Sequence, residues 1–160
     1  MNTTIRRAAL GDERGLTELN ALVHGFHVEN NPSYFKPASP DEVAAWFRDL
    51  FGNRAARIWI AEEGETLVGY ACVFLHERAE NPFCLARRWF EIDQIAVRLD
   101  RQRNRIGRAL VQHVLADARG EGIGEVELTC WCFNTGAQEA FQRLGFAPRL
   151  IRLGLQAKPS

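Results

Sequence analysis

Residues 89–132 constrain the fold more than any other part of the chain. Residues 89–97 read as a strand and 98–105 as an arginine-rich turn. Residues 106–119 then form an amphipathic helix with Ile106, Ala109, Leu110, Val114 and Leu115 on one side, and 125–132 read as the next strand. A helix with one apolar stripe, set between two strands, buries that stripe against a sheet, so the fold class is α/β, or α+β.

The remainder of the pattern agrees. Residues 4–8 read as a short strand, and Gly11-Asp12 introduces a helix with Leu16, Leu19, Leu22, Val23 and Phe26 at helical spacing. Ser39-Pro40-Asp41-Glu42 marks a second helix start, carrying Val43, Trp46, Phe47 and Leu50 and ending near Gly52-Asn53. Strands at 57–61 and 66–75 flank the turn Glu63-Gly64-Glu65 as a hairpin. A helix at 135–144 stops at Gly145, and 146–155 read as closing strand material. The order βααβββαβαβ, without linker or repeat, predicts one domain over 1–160 with a mixed, mostly antiparallel sheet of six to seven strands and about four helices.

Length and composition narrow the class. A chain of 160 residues, 46% hydrophobic, with 20 basic and 20 acidic side chains, suits one folded domain and excludes disorder. No apolar run approaches the roughly 20 residues of a membrane span. The first residues lack the apolar stretch of a signal peptide, so the expected location is the cytoplasm. The four cysteines, Cys72, Cys84, Cys130 and Cys132, form no C-x-x-C pair. Cys130 and Cys132 are expected to share one strand face as reduced thiols, with a reactive role for Cys132 as the alternative. The histidines show no H-E-x-x-H spacing, and no metal is expected.

The charge is uneven. Arginines stand at 98, 101, 103, 105 and 108 against one acid, Asp100. A neutral protein with one such cluster is a poor general nucleic-acid binder, whereas it suits a compact polyanion. A solvated arginine-rich turn is the alternative. The cluster opens a helix, where unpaired backbone N–H groups and the helix dipole favour anions, and Gly107 leaves room for a bulky one. The glycine-rich stretch 120–124 runs from helix to strand, the wrong polarity for such a site, and is explained by helix termination.

Gln102-Arg103-Asn104-Arg105-Ile106-Gly107 resembles the Gln/Arg-x-x-Gly-x-Gly/Ala loop of the GNAT acyl-CoA N-acetyltransferase superfamily. Residues 92–97 upstream, and downstream Asn134, Ala137, Phe141 and Gly145-Phe146, resemble its other signatures, so the resemblance covers nearly the whole chain. It is closest to the polyamine- and thialysine-type members. It implies acetyl-CoA as donor, direct transfer to an amine of a small molecule or peptide, splayed central strands, and commonly a dimer; no nucleic acid or membrane partner is expected. It places the pantetheine arm on backbone at Ile95, Ala96 and Val97, and the pyrophosphate on Gln102, Arg103, Asn104, Arg105, Ile106, Gly107 and Arg108. Asn134, Ala137 and Phe141 would contact the cofactor arm; Asn134 also reads as a helix N-cap.

Two positions depart from the family pattern. Arg105 stands where the first loop glycine belongs, which either strengthens phosphate binding or disturbs the turn if positive φ is required. Phe141 stands where the family often carries the tyrosine that protonates the departing thiolate. That departure leaves open a non-catalytic acyl-CoA-binding or regulatory domain.

Asp93 is the expected base, four residues before Val97, where related enzymes carry glutamate. Strict alternation puts Glu91, Asp93, Ile95 and Val97 on one face, so Glu91 is the second candidate. A surface carboxylate pairing with Arg87 or Arg88 is the alternative for Asp93. The connection at 26–35 borders the acceptor in this family, and Phe26, Glu29, Tyr34 and Phe35 there suit a cationic amine. Packing of these aromatics onto the core is the competing reading, and His24 and His27 are expected to be surface or packing residues.

Overall fold

Three long strands carry the sheet. In the computed structural model, which describes residues 3–155, β1 (Thr4–Arg7), β2 (Ala56–Glu63), β3 (Thr66–Arg78) and β4 (Arg87–Val97) pair in that order, each antiparallel to the last. A short β5 (Val126–Leu128) adds to β4 in parallel. Residues 1–2 and 156–160 lie outside the description. Four helices accompany the strands: α1 (Glu13–Asn30), α2 (Pro40–Phe51), α3 (Ile106–Gly120) and α4 (Thr135–Arg143). The mixed, mostly antiparallel sheet and the element order as far as α4 match the expectation. The chain divides after Thr129 into a larger unit, which holds the sheet and α1 to α3, and a smaller one containing α4.

Local chemistry explains the boundaries. At α2, the Ser39 hydroxyl accepts from the Glu42 amide at 3.2 Å while the Glu42 carboxylate accepts from the Ser39 amide at 3.1 Å, a reciprocal cap with Pro40 in the first turn. Ahead of α1, Asp12 accepts from the Ala9 amide at 2.8 Å and from both ends of the Arg6 guanidinium at 2.9 Å. That guanidinium holds the Asp12 carboxyl below the usual range. Gly64 turns the β2–β3 hairpin at φ +64°.

One face of the sheet is covered by α1 and α2: Leu16, Leu19, Phe47 and Leu50 pack on Ile58, Ile60, Tyr70, Cys72 and Ala96. Burying each such large side chain contributes about 1.5–3 kcal/mol. The opposite face meets α3, whose Ile106, Leu110, Val111, Val114 and Ala118 are buried. Contact is closest at Gly69, where an added Cβ would lie 2.9 Å from the Ala96 carbonyl oxygen, 3.2 Å from Ile106 and 3.3 Å from Leu110. Gly69→Ala therefore overpacks the β3–β4–α3 junction. The expected cost is about 1–3 kcal/mol, lowering Tm by about 2–12 °C, and thermal unfolding with an unchanged Tm would refute it.

Three sequence expectations are corrected. Five strands, not six to seven, are formed by the described residues, because 146–155 joins no ladder. The apolar alternation there is present, but a strand requires a hydrogen-bonded neighbour; Ile151, Leu153 and Leu155 are exposed. The strand expected at 125–132 stops at Leu128. Cys130 and Cys132 therefore share no strand face. They lie around a turn closed by the Asn134 amide on the Trp131 carbonyl at 2.9 Å, with Cys132 exposed.

Candidate active site

The decisive irregularity lies in β4. Gln94 pairs with Cys72 and Ile92 with Val73, so Asp93 is left without a partner as a bulge. On the other side of β4 the ladder to β5 ends at the same place, with Ile92 opposite Leu128. Beyond it, the Arg98 amide donates to the Val68 carbonyl at 2.9 Å and the Ala96 carbonyl faces Gly69. Backbone groups alternate in direction along a strand, so those of Ile95 and Val97 point to the opposite, open edge. The splay expected between the central strands is this edge.

The bulge also corrects the expected face. Glu91 pairs across to Phe74 and lies beside His76 on the α1–α2 side, while Ile95 pairs with Ala71 on the α3 side. Glu91 therefore shares no face with Ile95 and Val97, because the extra residue inverts the alternation. Ala96 is buried against α1 and α2 and its backbone is turned to Tyr70 and Gly69 on β3, so it presents nothing to the open edge.

Asp93 is paired with neither Arg87 nor Arg88. Arg87 is held by Glu125 and Glu127 and lies over Trp89, and Arg88 bonds Glu77 at 2.7 Å. Glu91 has a partner of its own, His76 Nε2 at 2.9 Å. Loss of water around Asp93 raises its carboxyl above the ordinary value, and the nearby Glu91 charge adds to this. The neighbouring Gln94 side chain and the proximity of His76 oppose the rise.

At the end of β4 the arginine cluster divides by role. Arg98 bonds Asp100 at 3.0 and 3.1 Å, and Arg101 bonds Glu63 at 3.1 Å and Asp100 at 3.0 Å. Both fasten the turn. Arg103, Arg105 and Arg108 are exposed, and among the described residues none of them has an ion-pair partner. Arg103 and Arg105 adopt left-handed backbone at φ +68° and +64°, the two non-glycine residues that do so among the described residues. Such geometry costs on the order of 1–3 kcal/mol per residue. The turn does require positive φ at Arg105, and it forms regardless. Arg105 brings no side-chain cap to α3, so the first-turn N–H groups remain available to an anion. An added Cβ on Gly107 would meet only Val97, at 3.7 Å. The start of α3 therefore lies beside the open end of β4, with space above it.

Three of the expected acceptor residues, Phe26, Tyr34 and Phe35, form ring contacts together with His27. The ring of Phe35 lies 4.9 Å from His27 and 4.9 Å from Tyr34, and Phe26 lies 6.3 Å from His27. Tyr34 and Glu29 are exposed. His24 meets the Lys36 carbonyl at 2.7 Å, a packing role as expected. A hollow of about 310 Å³ is lined by Asn20, His24, Val28 and Glu29 among others. A larger open depression beside the β2–β3 hairpin has walls of paired charges, Arg6 with Asp12 and Glu62, and holds no candidate base.

In the smaller unit, Asn134 Oδ1 accepts from the Ala137 amide at 3.2 Å, so the N-cap reading of Asn134 holds. Phe141 packs edge-on against Phe146 at 5.8 Å.

Residues 23–146 match the sequence profile of the Acetyltransferase (GNAT) family. The chain belongs to this family. N-acetyltransferase family 8 member 3 of Rattus norvegicus is 31% identical over 99 residues, which are 62% of this chain and 42% of that protein. The match thus spans less than half of the rat protein. Among solved structures, a tetramutant of the BH1408 protein from Bacillus halodurans superposes at a TM-score of 0.91, with 21% identity over 96% of this chain and 99% of that one. Aminoglycoside N-acetyltransferase AAC(6')-Iy, solved in complex with CoA, gives 0.79 at 16% identity over 99% of this chain and 96% of that one. These two share the fold of this GNAT chain.

Sequence reasoning missed a hydrogen-bonded ring that begins one residue beyond Asp93: Gln94, Tyr70 and Asn20. Asn20 Nδ2 donates to Gln94 Oε1 at 2.9 Å and to Tyr70 at 3.2 Å, and the Tyr70 hydroxyl donates to the same Gln94 oxygen at 2.8 Å. The available signal was a polar Gln94 two residues from the apolar Ile92 and two from Ala96, both buried.

Proposed function

We propose that this GNAT protein transfers an acetyl group from acetyl-CoA directly to a primary amine of a small molecule or peptide. The observation that carries the reading is the Asp93 bulge, which ends pairing with β5 and leaves the Ile95 and Val97 backbone open beside the start of α3. A pantetheine arm has amides to pair with that edge. A pyrophosphate suits the α3 N-terminus, where Arg103, Arg105 and Arg108 have no competing carboxylate. The bound cofactor supplies an activated thioester.

The chain's own work is to bind, orient and accept a proton. Asp93 is the base. It lacks the His76 partner that occupies Glu91, and a raised carboxyl takes a proton near neutral pH more readily than an ordinary one. A water relays the proton where the short aspartate does not reach. The hollow lined by Asn20, His24 and Glu29 presents a carboxylate near the expected acceptor loop, which favours a cationic amine.

The test is free-thiol release from acetyl-CoA against a panel of polyamines, lysine analogues, aminoglycosides and peptides. Release that depends on one amine class is expected. Folded protein that binds acetyl-CoA and releases no thiol with any amine would replace this reading with a non-catalytic acyl-CoA-binding domain.

A further inference from the structure

We propose that the hollow between α1 and the start of α2 is an ammonium site, which takes the second, unacetylated nitrogen of an acceptor carrying two amines on one alkyl chain. As an acceptor subsite it rests on the acetyl-transfer reading; as an ammonium site it is measured without it. The hollow has a volume of about 310 Å³ and is lined by α1 from Thr17 to Glu29 and by residues of the 37–43 stretch. Among the described residues none from β4 lines it, so it is separate from the open edge at Ile95 and Val97.

The polar wall of the hollow has spent its side-chain donors. Asn20 uses both hydrogens of its amide, one on Gln94 Oε1 at 2.9 Å and one on the Tyr70 hydroxyl oxygen at 3.2 Å. That orientation is fixed. Tyr70 is fully buried and has one hydroxyl hydrogen, which it donates to the same Gln94 oxygen at 2.8 Å. Both partners therefore present only lone pairs to Asn20, and turning its amide over would set oxygen against oxygen. Its Oδ1 is left over, without a partner among the described residues. The Thr17 hydroxyl donates to the Glu13 carbonyl at 2.7 Å. His24 Nε2 donates to the Lys36 carbonyl at 2.7 Å, because a carbonyl only accepts.

What the side chains leave for a ligand is acceptors: the Asn20 oxygen, the Thr17 lone pairs, the second nitrogen of a neutral His24 ring and the Glu29 carboxylate. A cationic group rich in N–H donors fits this wall, whereas an anion finds no side-chain donor. The rest of the lining is apolar, with Ala21, Val28 and Val43, and suits methylene groups. Pro37 and Pro40 have no N–H to offer. The reacting amine must lose its proton, but a carboxylate beside an ammonium keeps it charged. The hollow therefore holds the nitrogen that is not acetylated. Asn20 reaches across to Gln94, the residue after Asp93, so one short chain connects hollow and base.

The experiment follows the Asn20 side-chain amide by NMR in the full chain without acetyl-CoA, its signals assigned by their loss in Asn20→Leu. Diaminobutane should shift them to saturation, and butyrate, an anion of the same chain length, should not. Glu29→Gln, at an exposed position, should weaken diaminobutane binding about 2–5-fold, the size of an exposed charge contact. In thiol-release assays KM of the wild type should be about tenfold lower for diaminobutane than for butylamine, which lacks the second nitrogen. Glu29→Gln should narrow that gap by the same 2–5-fold or so. If Asn20→Leu does not fold, calorimetric titration of wild type and Glu29→Gln with diaminobutane decides alone. Signals unmoved by diaminobutane, or moved equally by butyrate, overturn the ammonium site. Equal KM values for diaminobutane and butylamine overturn its part in holding the acceptor. No thiol release with any amine is a separate result, which overturns the acetyl-transfer reading while the titration still decides the site.

Discussion

Asp93→Asn should retain acetyl-CoA binding while turnover falls on the order of 10²–10⁴-fold, the usual contribution of a positioned base. Stability should move the other way. In the folded chain the Asp93 carboxyl titrates above its ordinary value, chiefly because water is displaced around it. Between the ordinary value and the raised one, the folded state holds a proton that the unfolded state has released. Stability therefore falls as pH rises through that window, by an amount that water at the exposed carboxylate keeps small. Asparagine removes the ionisation. Tm at neutral pH should equal or exceed that of the wild type, and the advantage should vanish at pH values below both titrations. The activity of the wild type should decline on the acid side at a midpoint above that of an ordinary aspartate. Steady-state rates and thermal melts across pH check all of this. Full turnover in the variant, at every pH, would assign the proton to Glu91 or to bulk water.

The fold was legible where periodicity and capping chemistry are local. Ser39-Pro40-Asp41-Glu42 names its own helix start, and the α3 stripe from Ile106 to Ala118 can be read without coordinates. The bulge was not legible. Nothing in the run from Glu91 to Val97 distinguishes a regular strand from one with an extra residue, because the inversion depends on the register against β3. Strict alternation therefore grouped Glu91 with Val97, whereas register separates them. Closing strand material was expected at 146–155 for a related reason: an apolar alternation reports a side-chain pattern, whereas a strand is defined by its neighbour. In the arginine turn, sequence revealed the positive charge and the structure divided it. Arg98 and Arg101 are committed to Asp100 and Glu63, the latter some 38 positions away in the chain, a partnership no local pattern discloses. The Asn20–Tyr70–Gln94 ring is long-range in the same sense, joining residues 50 and 74 positions apart.

Gly107→Glu should abolish the stabilisation of the protein by acetyl-CoA without harming the apo fold. The two halves of that expectation have different physical origins. In the apo chain an added Cβ has only Val97 nearby, at an ordinary 3.7 Å, and Gly107 is in the first turn of α3. Replacing a helical glycine removes an entropic cost of roughly 0.5–1 kcal/mol, and a negative side chain at a helix N-terminus is favourable by about 0.3–1 kcal/mol. The apo Tm should hold or rise slightly. The same carboxylate occupies the ground above the first-turn N–H groups and supplies Arg103, Arg105 and Arg108 with an internal counter-ion. A pyrophosphate would then meet a like charge where it needs donors. Wild type at 100 times the dissociation constant should gain about 2.7 kcal/mol, roughly 5–11 °C in Tm; the variant should gain nothing at the same concentration. Gly107→Ala separates size from charge and should retain most of the shift, since the methyl group has room. A Gly107→Glu protein that melts normally and still responds fully to acetyl-CoA would remove the α3 N-terminus from the cofactor site. The absence of any shift in folded wild type at millimolar acetyl-CoA would remove the cofactor itself.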